Sequence, residues 1–163
     1  MHAASLALRS PLRPFVATLL GLALLLSGAC NTTLIAPYDE YTFTRAAEMS
    51  EECELLFAAL EDAAATPAPE DDLYDAHADA YQGLIAAARS LESRATQIEK
   101  NRIPRKQLEL LRESLEKMQA EHRSRSSGAE PKGFSPTALK VLREPMMQQF
   151  NAIVVLQEEL KSR

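Results

Sequence analysis

The chain predicts an all-α fold: an antiparallel helical bundle of about four helices, following an N-terminal segment that is cleaved away. Three observations carry this prediction. Composition is 46% hydrophobic with only five glycines, and it is rich in Ala, Leu, Glu, Lys and Arg, the residues that cost least in a helix. Apolar residues recur at intervals of three and four along four separate stretches. Short polar or proline-bearing segments divide those stretches.

The first helix is expected over roughly residues 39 to 62, with Ala46, Met49, Cys53, Leu56 and Leu60 facing inward. A break follows at residues 64 to 70, where Pro67 and Pro69 stand. The second helix is expected over roughly 72 to 99. Its inner positions His77, Tyr81, Leu84, Ala88, Leu91, Ala95 and Ile98 alternate steps of four and three, the seam of an antiparallel bundle or coiled coil. After a tight link at residues 100 to 103, Pro104 is predicted to open the third helix, because the first helical position needs no N–H. Leu108, Leu111, Leu115, Met118 and His122 form its stripe.

Residues 123 to 134 then read as the longest and most polar linker, and a loop of that length is a candidate for use. Ser135-Pro136 gives a cap and a first-turn proline for the fourth helix, whose stripe is Leu139, Leu142, Met146, Phe150, Ile153 and Leu160. Pro145 lies within it and predicts a kink or a break. The run Ala152 to Leu156 has strand-like composition, but with no second strand to pair it reads as helix buried over a wide face. Short links make neighbouring helices antiparallel.

The first 29 residues have another character. Arg9 and Arg13 stand in a stretch without acids, and Phe15 to Leu26 is a 12-residue apolar run. This is the layout of a secretory signal peptide, and the run is too short to span a bilayer, which takes about 20 apolar residues. Small residues then lead to a cut between Ala29 and Cys30. Ser27-Gly28-Ala29-Cys30 resembles the lipobox of bacterial lipoproteins, although an aliphatic residue is commoner where Ser27 stands. The resemblance implies removal of residues 1 to 29 and a diacylglycerol-bearing Cys30. Ordinary cleavage at the same bond is the alternative; Cys30 would then be a free thiol or would pair with Cys53. In Gram-negative lipoproteins Asp after the cysteine retains the protein at the inner membrane. Asn31 here implies the outer membrane, facing the periplasm. Residues 30 to 37 are a lipidated tether that reaches at most about 28 Å, and residues 38 to 163 are the helical bundle domain.

The processed chain is acidic, and unevenly so. Residues 30 to 99 hold 15 acids and 3 bases, whereas residues 100 to 163 hold 8 acids and 13 bases. Opposite signs favour correct docking of the two hairpins, each exposed pair contributing only a few tenths of a kcal/mol. They also permit an outward reading, with a basic face toward anionic lipid or cell-wall polymer and an acidic face toward a partner. Nucleic acid is excluded as a partner for an exported acidic protein.

Folding the hairpins back on themselves brings Cys53, His77, Tyr81 and His122 to one end of the interior. These are metal-ligand types, yet no HxxxH, ExxH or CxxC spacing pre-forms half a site, and no CxxCH offers haem attachment. The competing reading is a buried Tyr–His hydrogen bond with the cysteine as a small hydrophobe. Glu51, Glu52 and Glu54 read as a solvated face. There is no phosphate loop or serine elbow, so no catalytic, cofactor-binding or metal residue is predicted.

Pro37-Tyr38-Asp39, a helix ending near Glu61, Tyr81, Arg94-Ala95, Asn101 and a Leu-rich helix closing at His122 together make a layout similar to small, all-helical bacterial envelope lipoproteins. The expectation is a lipid-anchored, non-catalytic binding, scaffold or accessory module with an envelope protein partner. A metal- or haem-binding bundle is one alternative. An inhibitor or immunity-type protein engaging an exported enzyme or toxin through residues 123 to 134 is another.

Overall fold

The computed structural model describes residues 37–65, 73–98, 100–127 and 132–162. The expected signal peptide, Ala29/Cys30 cut, lipid site and tether up to residue 36 lie outside the described residues, as does most of the expected break before the second helix. Four helices follow in chain order: α1 (Glu40–Ala65), α2 (Tyr74–Gln97), α3 (Arg102–Ser126) and α4 (Pro136–Lys161). Among the described residues there is no strand, and no helix is long and apolar enough to cross a membrane. Each helix packs on its two neighbours, α1 on α2, α2 on α3, α3 on α4 and α4 back on α1, in an up-down-up-down ring.

The predicted stripes form the core. Ala46, Met49, Cys53, Leu56 and Leu60 of α1, Leu84, Ala88, Leu91 and Ala95 of α2, and Leu108, Leu111, Leu115 and Met118 of α3 are all buried. Burying one such large apolar side chain fully contributes about 1.5–3 kcal/mol, so these stripes dominate the stabilisation. The ends of two stripes differ from expectation. Ile98 is half-buried because α2 ends at Gln97 and the backbone turns extended there. Leu142 and Leu160 are also half-buried, while Gln157 takes a buried place on α4.

Proline positions refine the element boundaries. The third helix starts at Arg102, two residues before Pro104. All the N–H groups of a first turn lack helical acceptors, so proline is tolerated at its third residue as well as its first. Ser135 caps α4 as expected, its hydroxyl accepting from the Ala138 N–H at 3.2 Å with Pro136 behind it. Pro145 does not break α4, which runs unbroken from Pro136 to Lys161. Pro145 and Val141, whose carbonyl loses its helical donor, are both exposed, so water can take the place of the missing bond. The wide buried face expected over residues 152 to 156 is absent: Ile153 is buried, but Ala152 and Val155 are exposed.

The linker after α3 is shorter than the sequence suggests. Residues 123 to 126 belong to α3, and Phe134, at 1% exposure, is part of the core. At the opposite end the α2–α3 turn passes through Lys100 with a positive φ of 71°. That conformation costs a residue with a Cβ about 1–2 kcal/mol. It lets Asn101, itself buried, donate back to the Ile98 carbonyl at 3.3 Å.

Candidate functional site

Two places gather chemistry-bearing side chains: a buried aromatic and imidazole layer, and a groove on the acidic hairpin.

Tyr81 of α2 and His122 of α3 are both fully buried, and the phenol oxygen lies 3.2 Å from His122 Nδ1. The rings of Tyr74, His77 and Phe134 surround this pair. Tyr74 stacks on Tyr81 at 5.9 Å, His77 lies 5.9 Å from His122, and Phe134 packs 4.9 Å from the same imidazole. Backbone needs are met locally: the Tyr74 N–H donates to Ser126 Oγ at 2.8 Å, and that hydroxyl donates to the His122 carbonyl. The Tyr74 hydroxyl accepts from Gln119 and Arg123, and the Arg123 guanidinium lies 4.5 Å over its ring.

The sequence therefore placed Tyr81 and His122 together correctly, with His77 at the margin and only half-buried. It missed Tyr74 and Phe134. Tyr74 stood at a helical interval of seven before Tyr81, and Phe134 was a lone aromatic in a polar linker; both were signals.

Cys53 sits in the same interior with no exposed surface. Burial pushes its thiol up to about 12, and the neighbouring Glu54 charge acts in the same direction. Burial likewise raises the Tyr81 phenol, aided by Cys53 and Tyr74. At neutral pH both stay protonated, so neither serves as nucleophile, base or anionic ligand. Among the described residues no group of three or more His, Cys, Asp or Glu side chains is placed to hold a metal ion. The layer packs and orients the helices, joining α2 to α3 through the Tyr81–His122 pair.

The groove, of about 390 Å³, runs between α1 and α2. Leu55, Leu56, Ala59, Ala80, Gly83 and Leu84 make it apolar, and Glu52 and Asp79 edge it. Leu55 is 71% exposed. Gly83 stands inside α2, where glycine costs about 1 kcal/mol relative to alanine, yet a Cβ built there would meet no atom within 4 Å. Packing among the described residues gives no reason for the gap.

Charge pairs tie the ring together. Arg143 of α4 reaches Glu54 and Glu61 of α1, and Arg112 of α3 holds Glu92 of α2 at 2.7 Å. Both bring a base of the second hairpin onto acids of the first, while Arg89–Glu116 runs the other way. The three consecutive-region acids divide accordingly: Glu51 is exposed, Glu52 pairs with Arg45, and Glu54 pairs with Arg143.

At the end where α1 begins, Asp39 accepts two hydrogen bonds from Arg94, at 2.7 and 3.0 Å, and one from Thr42. Its own N–H donates to Gln157 Oε1 at 3.0 Å. The Arg94 guanidinium holds the Asp39 carboxyl below the usual carboxylate range; burial opposes this and Thr42 adds to it. One residue thus joins α1, α2 and α4. Asp39 and Arg94, noted in the sequence only as parts of a layout, prove to be partners. No protein-family model, curated protein or solved structure matches this chain.

Proposed function

We propose that this chain is a lipid-anchored envelope protein that works by binding, as a non-catalytic accessory or scaffold module held at the outer membrane and facing the periplasm. The observation that carries the reading is Cys30, which follows the apolar run Phe15 to Leu26 and the small residues Ser27-Gly28-Ala29. One acyl chain holds only marginally, but the two or three that such a cysteine carries make a durable anchor. A protonated thiol and phenol in a packed interior support binding over catalysis. The apolar groove with its acidic edge supports a partner that brings apolar and cationic groups to α1 and α2.

The test is intact-mass and N-terminal peptide analysis of the protein purified from membranes. The expected result is a chain beginning at residue 30 with acyl mass on that residue, and co-purification of an envelope protein that Cys30→Ala loses. A start elsewhere, or an unmodified Cys30, overturns the anchor. The alternative reading, an inhibitor or immunity-type protein engaging its target through residues 123 to 134, is tested by the same co-purification, which would then recover an exported enzyme or toxin.

A further inference from the structure

We propose that the corner of the bundle formed by the α2–α3 turn and the start of α3 rests on an anionic lipid surface, with Arg102 and Arg105 on phosphate and Ile103 in the headgroup layer; this rests on the lipid anchor at Cys30.

The first support is where the chain enters. Tyr38 packs beneath Lys161 at the end of α4, and Asp39 grips Arg94 near the end of α2. Residue 37 therefore stands at the same end as the α2–α3 turn. Six residues lie between it and Cys30, a span of at most about 25 Å, so an anchored chain holds this end near the headgroups.

The second support is an imbalance among the cations. Among the described residues, every arginine except Arg102 and Arg105 has a side-chain partner: Arg45, Arg89, Arg94, Arg112, Arg125 and Arg143 hold carboxylates, and Arg123 holds Tyr74. Arg102 and Arg105 are exposed and occupy the first turn of α3, where positive charge opposes the helix dipole. Lys100, also exposed, joins them from the turn, whereas Lys106 pairs with Glu109. Between the two arginines, Ile103 is 48% exposed.

Guanidinium forks suit phosphate oxygens, and an apolar side chain between them suits the boundary between headgroup and hydrocarbon. Among the described residues the acids at this end without a cationic partner, Glu40, Glu158 and Glu159, belong to α1 and α4; in sequence Glu99 sets one negative charge against Lys100, Arg102 and Arg105, which leaves the corner cationic. The contact is accordingly one corner, and the bundle leans toward α2 and α3.

The experiment uses the acylated full-length protein after processing, carrying Ile103→Cys labelled with the environment-sensitive fluorophore NBD. Cys53 is buried and Cys30 is blocked, so only the new thiol reacts. A second sample carries the label at Thr137→Cys, at the far end of the bundle. Both go into phosphatidylcholine vesicles with or without 30% phosphatidylglycerol, and flotation is measured beside emission.

The expected result is flotation with both vesicle types, and a blue shift at position 103 that needs phosphatidylglycerol and is absent at position 137. Each cation at such a surface is worth about fivefold in partition, so adding Arg102→Glu and Arg105→Glu lowers the ratio of docked to undocked protein at least about 25-fold while flotation persists. These reversals favour the helix dipole, so the fold is retained. Equal emission at 103 and 137, or no dependence on phosphatidylglycerol, overturns the proposal and leaves the anchor standing. Flotation with anionic vesicles alone refutes the anchor and keeps the contact. Flotation with neither refutes both.

Discussion

Replacing Tyr81 by Phe removes one oxygen from a fully enclosed position. With Tyr81 as donor, His122 Nδ1 is the acceptor at 3.2 Å, and both residues have zero exposure. No solvent path is available to replace the lost hydroxyl. A typical net hydrogen bond contributes about 1 kcal/mol, and a buried acceptor stripped of its donor costs about 1–3 kcal/mol, so the expected loss is about 2 kcal/mol. With a urea m-value of about 2 kcal/mol/M for a domain of this size, the unfolding midpoint falls by about 1 M with the slope unchanged.

Circular dichroism at 222 nm during urea titration measures it. The double variant Tyr81→Phe with His122→Leu should lose less than the two single losses combined, because neither partner is then left behind. A Tyr81→Phe midpoint within about 0.2 M of the parent would refute the view that this pair anchors α2 to α3.

Gly83→Ala should stabilise the bundle by about 1 kcal/mol, since the Cβ meets open space and the helix gains propensity; a lower thermal midpoint would contradict the open groove. Pro145→Ala should also stabilise, by about 1–3 kcal/mol, because it restores an exposed helical hydrogen bond, as read by the same urea titration. On the alkaline side, the folded Cys53 thiol is raised from 9.0 to about 12. The stability this contributes is complete below pH 9 and is lost as pH rises toward 12, so Cys53→Ala should flatten the alkaline limb of a stability–pH profile. On the acid side, Asp39 is lowered from 3.8. Its contribution is complete above that value and is lost as pH falls through the folded pKa, so Asp39→Asn should reduce the pH dependence of urea midpoints measured below pH 4, leaving the part due to Glu116, which Arg89 and Arg112 hold low.

Much of this fold was legible because a packed helix repeats its inward face every three or four residues, and most inner positions between Ala46 and Met118 announced themselves that way; Phe57 and Ile85, which widen the buried faces of α1 and α2 by one position beside Leu56 and Leu84, did not. What the pattern hid was polar or distant. Gln157 occupies an inner register position between Ile153 and Leu160, but an amide reads as solvent-facing until the Asp39 N–H it serves is known, 118 residues away. The Asp39–Arg94 pair spans 55 residues and leaves no local trace. Prolines misled in both directions, since a first turn tolerates one beyond its first residue and an exposed helix face tolerates one in its middle. Of the candidate site, the Tyr81–His122 pair was readable from register alone, whereas the α1–α2 groove is a matter of what side chains leave empty.

The helix that closes the ring is the last one, and it closes on the first: the Asp39 amide holds Gln157, and Tyr38 lies beneath Lys161. The beginning and end of the domain are thus neighbours, and a short glycine–serine bridge would join them. The gene could then be opened at the connection between α1 and α2, giving the helices in the order α2, α3, α4, α1 with every packing contact kept. Such a rearranged chain would present its leading end at the opposite pole, so an acylated cysteine placed there would hang the same bundle upside down.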